Sequence, residues 1–181
     1  MNGHREFDIA FVGLKPGAHV YEYQITDKFF KEYDEQDFQH ADATVRLTLD
    51  KKTGFFQLKF EIGGQVEVIC DRCGNNLPLS LWDEFNLIVK MVDNPDEMNE
   101  QEEDPDIYYI HRNETHLHVA DWIYEFINLS LPMTKMCSEK EIGGPHCNME
   151  VLKKLEEMKP GENQGHAIWK DLEKFKKTDN N

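Results

Sequence analysis

Four cysteines carry most of the chemistry that this sequence can offer. Cys70 and Cys73 stand two residues apart in Val-Ile-Cys-Asp-Arg-Cys-Gly-Asn-Asn, and Cys137 and Cys147 bracket the nine residues Ser-Glu-Lys-Glu-Ile-Gly-Gly-Pro-His. Structural zinc takes four thiolate or imidazole ligands in a tetrahedron, and a C-x2-C turn closed by a permissive glycine, here Gly74, commonly supplies two of them. On that reading Cys70, Cys73, Cys137 and Cys147 hold a structural zinc ion, with His146 competing for a place because the second pair is widely spaced. Two other readings stay open, a redox dithiol and metal-free thiols that merely pack. A catalytic C-x-x-C belongs at a helix N-terminus after a strand, where the helix dipole lowers the thiol pKa. The following Gly74-Asn75-Asn76-Leu77-Pro78 is poor helix sequence, which speaks against it.

Other catalytic constellations are missing from the sequence. His111, His116 and His118 lack an HExxH-like spacing and read as strand-face or surface residues. There is no glycine-rich phosphate loop and no G-x-S-x-G elbow, and the carboxylates are too scattered to nominate a pair. The residues alone do not call for an enzyme.

The elements that must position the cysteines read mainly as strands. Phe7, Ile9 and Phe11 share one side of a first strand, and Tyr21, Tyr23 and Ile25 share one side of a second, with Lys15-Pro16-Gly17 as the turn between them. Val45, Leu47 and Leu49 alternate with polar residues, as do Phe56, Leu58, Phe60 and Ile62, and Gly63-Gly64 leads into Val66, Val68 and Cys70. Leu77, Leu79 and Leu81, then Phe85, Leu87, Val89 and Met91, continue the pattern after the cysteine pair. These periods predict an α+β protein, with an antiparallel β-meander or partly open barrel of six or more strands and one wet face.

Thr26 caps a short predicted helix over 27–33, and Trp122, Ile123, Phe126, Ile127 and Ser130 mark one face of a helix near 120–131. Asn148 is an N-cap candidate for a further helix with Val151, Leu152 and Leu155 inward, and Ile168, Trp169, Leu172 and Phe175 mark a last amphipathic segment. The predicted organisation is one β-rich domain over 1–147 and a C-terminal helical extension over 148–181. The first is interrupted at 93–106, where eight acidic residues and two prolines read as a solvated, mobile loop.

The formal charge is −15, and all of it precedes Asn148, because residues 148–181 hold seven bases and seven acids. Phosphate neutralisation needs concentrated Lys and Arg, and the one run of that kind is Lys170, Lys174, Lys176 and Lys177. Autonomous RNA binding is therefore disfavoured. Neither a signal peptide nor an apolar run of about 18–20 residues is present, so a cytoplasmic location with no membrane contact is the default expectation. In a reducing cytosol, four cysteines argue for metal or redox chemistry more than for disulfides.

Taken in order, these elements resemble the YceD family, the large ribosomal RNA subunit accumulation proteins. The resemblance rests on an alternating strand ending in Cys70-Asp71-Arg72-Cys73-Gly74, a Leu/Pro strand, an acidic insertion and a helix closing in Leu129-Ser130-Leu131-Pro132. A cysteine-containing loop and the segment Ala167-Ile168-Trp169-Lys170-Asp171-Leu172 complete it. The stretch Phe7-Asp8-Ile9-Ala10-Phe11-Val12-Gly13-Leu14-Lys15-Pro16-Gly17 is similar to a hairpin expected of a Bacteroidetes-type member. The resemblance implies a non-enzymatic factor for accumulation or processing of large-subunit ribosomal RNA and for assembly of that subunit. With so acidic a chain, the expected partners are assembly or rRNA-processing proteins, such as a basic ribosomal protein, and direct RNA contact is left open. The rival expectation is a zinc-stabilised protein-interaction module unrelated to ribosomes.

Overall fold

A computed structural model describes residues 5–158 of the 181-residue chain. The strands are β1 (Asp8–Ala10), β2 (Gly17–Thr26), β3 (Phe38–Lys51), β4 (Phe55–Ile69), β5 (Asn76–Val92), β6 (Ile107–His111) and β7 (His116–His118). The α-helices are α1 (Pro95–Gln101), α2 (Ala120–Leu129) and α3 (Met149–Glu157), with 3-10 turns at Arg5–Phe7, Phe29–Glu32 and Glu139–Glu141. The chain divides into two compact units, one of Met1–Ile69 with Asn76–Lys135 and one of Cys70–Asn75 with Met136–Asn181. All four cysteines fall in the second unit.

The first unit is built on a five-stranded sheet in the order β2-β3-β4-β5-β6, with β1 and β7 paired separately. Alternation explains the long strands: Val45, Leu47 and Leu49 of β3 and Phe56, Leu58 and Phe60 of β4 are almost fully buried, and the residues between them face water. Gly54, at φ +89°, turns β3 into β4. The β3–β4 register shifts between Gln39 and Asp42, beside His40 at φ 52°. Helix α2 lays Ile123, Phe126 and Ile127 on the apolar face of the sheet, where Phe126 meets Phe60 at 5.0 Å and Phe85 at 4.4 Å between ring centroids.

The α+β class holds, while the sheet details need correction. The larger sheet has five strands where six or more were expected; it is mixed, because β6 runs parallel to β5; and its edges β2 and β6 do not join into a closed barrel. The expected hairpin of the first two strands does not form. β1 pairs with β7 (Ile9 opposite Leu117), and β2 gives its whole length to β3. Residues flanking the short β1 extend the same partnership: the Phe11 N–H donates to the Thr115 carbonyl at 3.1 Å and the Val119 N–H to the Phe7 carbonyl at 3.1 Å. After β1 the Leu14 N–H donates to the Phe11 carbonyl at 3.1 Å, and Lys51 Nζ donates to the Phe11 and Leu14 carbonyls at 2.8 and 2.9 Å.

Two further expectations change. The 27–33 segment forms only a 3-10 turn with Lys28 at its start, and Thr26 makes no cap there because it ends β2. The acidic 93–106 stretch contains α1, with Pro95 in its first turn and Asp96 and Glu97 where the helix dipole favours negative charge. Asn99 fixes it by donating to the Tyr109 carbonyl (2.9 Å) and accepting the Tyr109 N–H (2.8 Å).

In the second unit Asn148 caps α3 as expected, accepting the Val151 N–H at 3.3 Å. Val151 and Leu152 are half-buried, but Leu155 is exposed, against expectation. The lysine run and the amphipathic segment at 167–177 lie outside the described residues.

Candidate functional site

The cysteine unit is assembled from two short, tightly turned segments. In the first, which links β4 to β5 along the chain, the Cys70 N–H donates to the Asn75 carbonyl at 2.8 Å and the Gly74 N–H returns to the Cys70 carbonyl at 2.8 Å. Gly74 sits at φ +75°, where a side chain would be strained, so the permissive residue after the C-x2-C pair has the use its position suggested. The turn aims the backbone N–H groups of Arg72 and Cys73 at the Cys70 sulfur.

The second segment brings Cys137 to Cys147. Ser138 donates both its N–H (2.9 Å) and its hydroxyl (2.8 Å) to Glu141 Oε2, and the Gly144 N–H donates to the Glu141 carbonyl at 2.8 Å. A Cβ on Gly144 would lie 2.9 Å from that carbonyl oxygen, so the glycine is needed for the close approach. The Cys147 N–H closes on Gly144 O at 3.1 Å, and Asn148 starts α3. The Ser138-x-x-Glu141 pair was legible as a capping signature in the sequence, although it was not singled out there.

The four thiols are free and linked pairwise. Cys137 Sγ lies 3.4 Å from Cys147 Sγ, far beyond a disulfide bond of about 2.05 Å. Cys70 interacts with both Cys73 and Cys137. Cys70, Cys73 and Cys137 are buried and Cys147 is half-buried.

Burial pushes the Cys70 thiol up, but backbone N–H groups of Cys137, Cys73 and Arg72 and the Cys73 thiol outweigh it and bring its pKa to about 7. Cys137 goes the other way, to about 11, through its hydrogen bond with Cys147, burial and the neighbouring sulfur charges. Arg72 Nη1 is buried with no hydrogen-bond partner among the described residues.

His146, the competing ligand in the sequence reading, enters through its backbone: its carbonyl faces Cys73 Sγ at 3.9 Å, and the residue itself is exposed. Its charge helps to hold the Glu141 carboxyl below its usual range, after the two Ser138 hydrogen bonds. The donor set suits zinc, and 3.4 Å approaches the sulfur–sulfur edge of about 3.8 Å in a tetrahedron with zinc–sulfur bonds near 2.3 Å. Among the described residues, however, no group of three or more His, Cys, Asp or Glu side chains is arranged to hold a metal ion.

His111, His116 and His118 lie in the first unit and are held one by one. His118 Nδ1 contacts Asp8 Oδ1 at 2.7 Å, His116 Nδ1 contacts the Thr115 hydroxyl at 2.8 Å, and His111 Nδ1 accepts the Asn113 N–H at 3.1 Å. They line a cavity of about 330 Å³ with Tyr108 and Trp122. No helix among the described residues is long and apolar enough to cross a membrane.

A β-meander carrying a C-x2-C turn, in a chain with a second unit that gathers four thiols, defines a small α+β protein with a cysteine cluster. The family model described as "Large ribosomal RNA subunit accumulation protein YceD" matches residues 58–176, about two thirds of the chain and including all four cysteines, and the chain belongs to that family. Neither a curated protein nor a solved structure matches it significantly.

Proposed function

We propose that this protein is a non-enzymatic factor that supports accumulation of large-subunit ribosomal RNA and assembly of the large subunit, working in the cytoplasm through a basic protein partner. The observation that carries this reading is the family match, because it takes in most of β4, all of β5 and α2, and the four cysteines together. The charge of −15 supports a protein partner over naked RNA, since a like-charged surface opposes phosphate and attracts cationic segments. The role proposed for Cys70, Cys73, Cys137 and Cys147 is to hold a structural zinc ion. Three of them are buried and a backbone nest surrounds Cys70, which suits a closed structural site more than one with an open coordination position. When bound, zinc would cross-link the two segments of this unit and add binding energy to folding.

Depletion of the protein tests the reading: mature large-subunit rRNA falls relative to small-subunit rRNA and its precursors accumulate. Unchanged rRNA would refute it and leave an interaction module unrelated to ribosomes. Capture of partners at low and high salt tests the mode of action. A basic protein is expected to be retained at low salt and lost at high salt, whereas recovery of naked rRNA without such a protein would overturn the protein-mediated reading.

A further inference from the structure

Trp82 lies on the wet face of β5 and is 90% exposed, a large aromatic at a position that the strand's alternation assigns to a polar residue. The strand register explains why no neighbouring strand among the described residues covers it. Trp82 stands opposite Gly63 of β4, which in turn stands opposite Thr44 of β3, so the row contains a gap the width of a side chain. A Cβ built on Gly63 would meet nothing within 4 Å, and its backbone has no positive φ. β5 pairs with β6 only from Ile88 onward, so that strand does not reach the indole. The result is a notch of about 280 Å³ with Trp82 as one wall, Gly63 as floor and Arg46, Glu61, Asp83 and Glu84 around it.

The charges around the notch are arranged in a row. Glu22, Arg46, Glu61 and Glu84 are successive cross-strand neighbours over β2, β3, β4 and β5, which sets Arg46 between two carboxylates. Lys59 Nζ sits 2.9 Å from Glu84 and 3.6 Å from Glu61. Three carboxylates, Glu22, Glu61 and Glu84, thus share this face with two cations, and both cations have carboxylate neighbours. A phosphate would meet net repulsion here. A guanidinium could lie flat on the indole, gain cation–π attraction and be balanced by the surplus carboxylate.

We propose that the Trp82–Gly63 notch is the docking site for an arginine-bearing extended segment of a basic protein, with one arginine seated on the Trp82 indole. This rests on the protein-mediated reading of function and gives that partner's contact a place and a chemistry. Exposed tryptophans that fill a pocket are the side chains that most often dominate interface energy, which makes Trp82 the expected anchor.

The test is titration of the full-length protein with an alternating arginine–serine peptide, followed by the indole N–H signals of its tryptophans. Trp82→Ala identifies the Trp82 signal. The arginine peptide is expected to move that signal, and Trp82→Ala and Gly63→Leu are each expected to weaken binding by at least about tenfold. The leucine does this by filling the notch while leaving the indole in place. A lysine–serine peptide is expected to bind more weakly, because lysine lacks the planar face. Absence of a Trp82 shift, or unchanged affinity in both variants, would overturn the proposal. So would a stronger response to a single-stranded oligoribonucleotide, which would assign the notch to RNA. Complementation separates this result from the function itself. If depletion lowers large-subunit rRNA but Trp82→Ala restores it fully, the notch fails and the function stands; if depletion has no effect, the function fails.

Discussion

The rings of Phe85 and Phe126 lie parallel, 3° apart in plane and 4.4 Å between centroids, so that α2 is stacked directly on β5. Phe60 of β4 closes on the same Phe126 ring from another side at 65° and 5.0 Å, an edge-to-face contact. Phe126 therefore joins the helix to two strands at once, and its removal leaves a void that rigid sheet backbones cannot close. Phe126→Ala is expected to cost about 3–5 kcal/mol in chemical denaturation, and Phe126→Leu distinctly less. Equal losses in the two variants would show that the ring contacts are unimportant beyond apolar volume.

Two adjacent glycines in β4 should behave oppositely. A Cβ on Gly64 would come within 2.4 Å of the Asp42 carbonyl oxygen and 2.5 Å of the Ala43 Cα, and its φ of +150° already disfavours a side chain. Both neighbours are backbone atoms of β3, at the register shift, so neither can swing away. Gly64→Ala is expected to destabilise by at least about 2 kcal/mol. Gly63→Ala should be neutral or slightly stabilising, since its Cβ would enter open space. A comparison of the two melting temperatures checks this, and similar values would contradict the local geometry.

What the sequence revealed follows the range over which each feature is encoded. The β3–β4 hairpin was legible because Val45, Leu47 and Leu49 and then Phe56, Leu58 and Phe60 repeat with period two around a glycine turn. The Asn148 cap was legible for the same local reason. The pairing of Ile9 with Leu117 was not, because it joins residues more than a hundred positions apart and a three-residue strand has too little pattern to name its partner. The parallel placement of Ile107–His111 on β5 is likewise decided by packing. Composition hid α1, whose acidic residues suggested a solvated loop while favouring a helix start. At the cysteine site the residue types and the C-x2-C turn were readable, but the N–H groups aimed at Cys70 and the backbone role of His146 depend on conformation. Trp82 did carry a signal, an aromatic residue out of phase between Leu81 and Glu84, but only its cross-strand partner Gly63 gives that signal a meaning.

The acidic segment after β5 should be held in a pH-dependent way. The Tyr109 hydroxyl donates to Glu102 Oε2 at 2.6 Å, which is the leading reason that the Glu102 carboxyl is held below its ordinary 4.5 and the Tyr109 hydroxyl above its ordinary 10.0. A depressed carboxyl contributes stability above its unfolded value and loses it as pH falls through the folded one. A raised phenol contributes below its unfolded value and loses it as pH climbs through the folded one. The bond is thus fully effective between about pH 5 and 9. Over that window Tyr109→Phe should speed amide exchange across residues 95–106 by a constant factor, and the difference from the parent should shrink on either side. A difference that does not vary with pH would show that the hydroxyl–carboxylate bond does not hold this segment.

Cysteine substitutions decide whether the thiol cluster is a metal site. Cys70 and Cys73 come from one turn and Cys137 and Cys147 from another, so an ion bound by all four would tie the two segments of that unit together. Ligand loss then removes binding energy that is also folding energy. Cys73→Ser and Cys137→Ser should each abolish stoichiometric zinc in elemental analysis and lower the melting temperature by about 5–10 °C, as should a strong chelator on the parent protein. Substitution of His146 by Ala should leave the zinc content unchanged, because its carbonyl is the group that faces Cys73 Sγ. Metal-free parent protein whose melting is indifferent to both zinc and chelator would instead make the four thiols a packed, hydrogen-bonded cluster. In that case Cys73→Ser would still cost stability through its buried sulfur, with no dependence on metal.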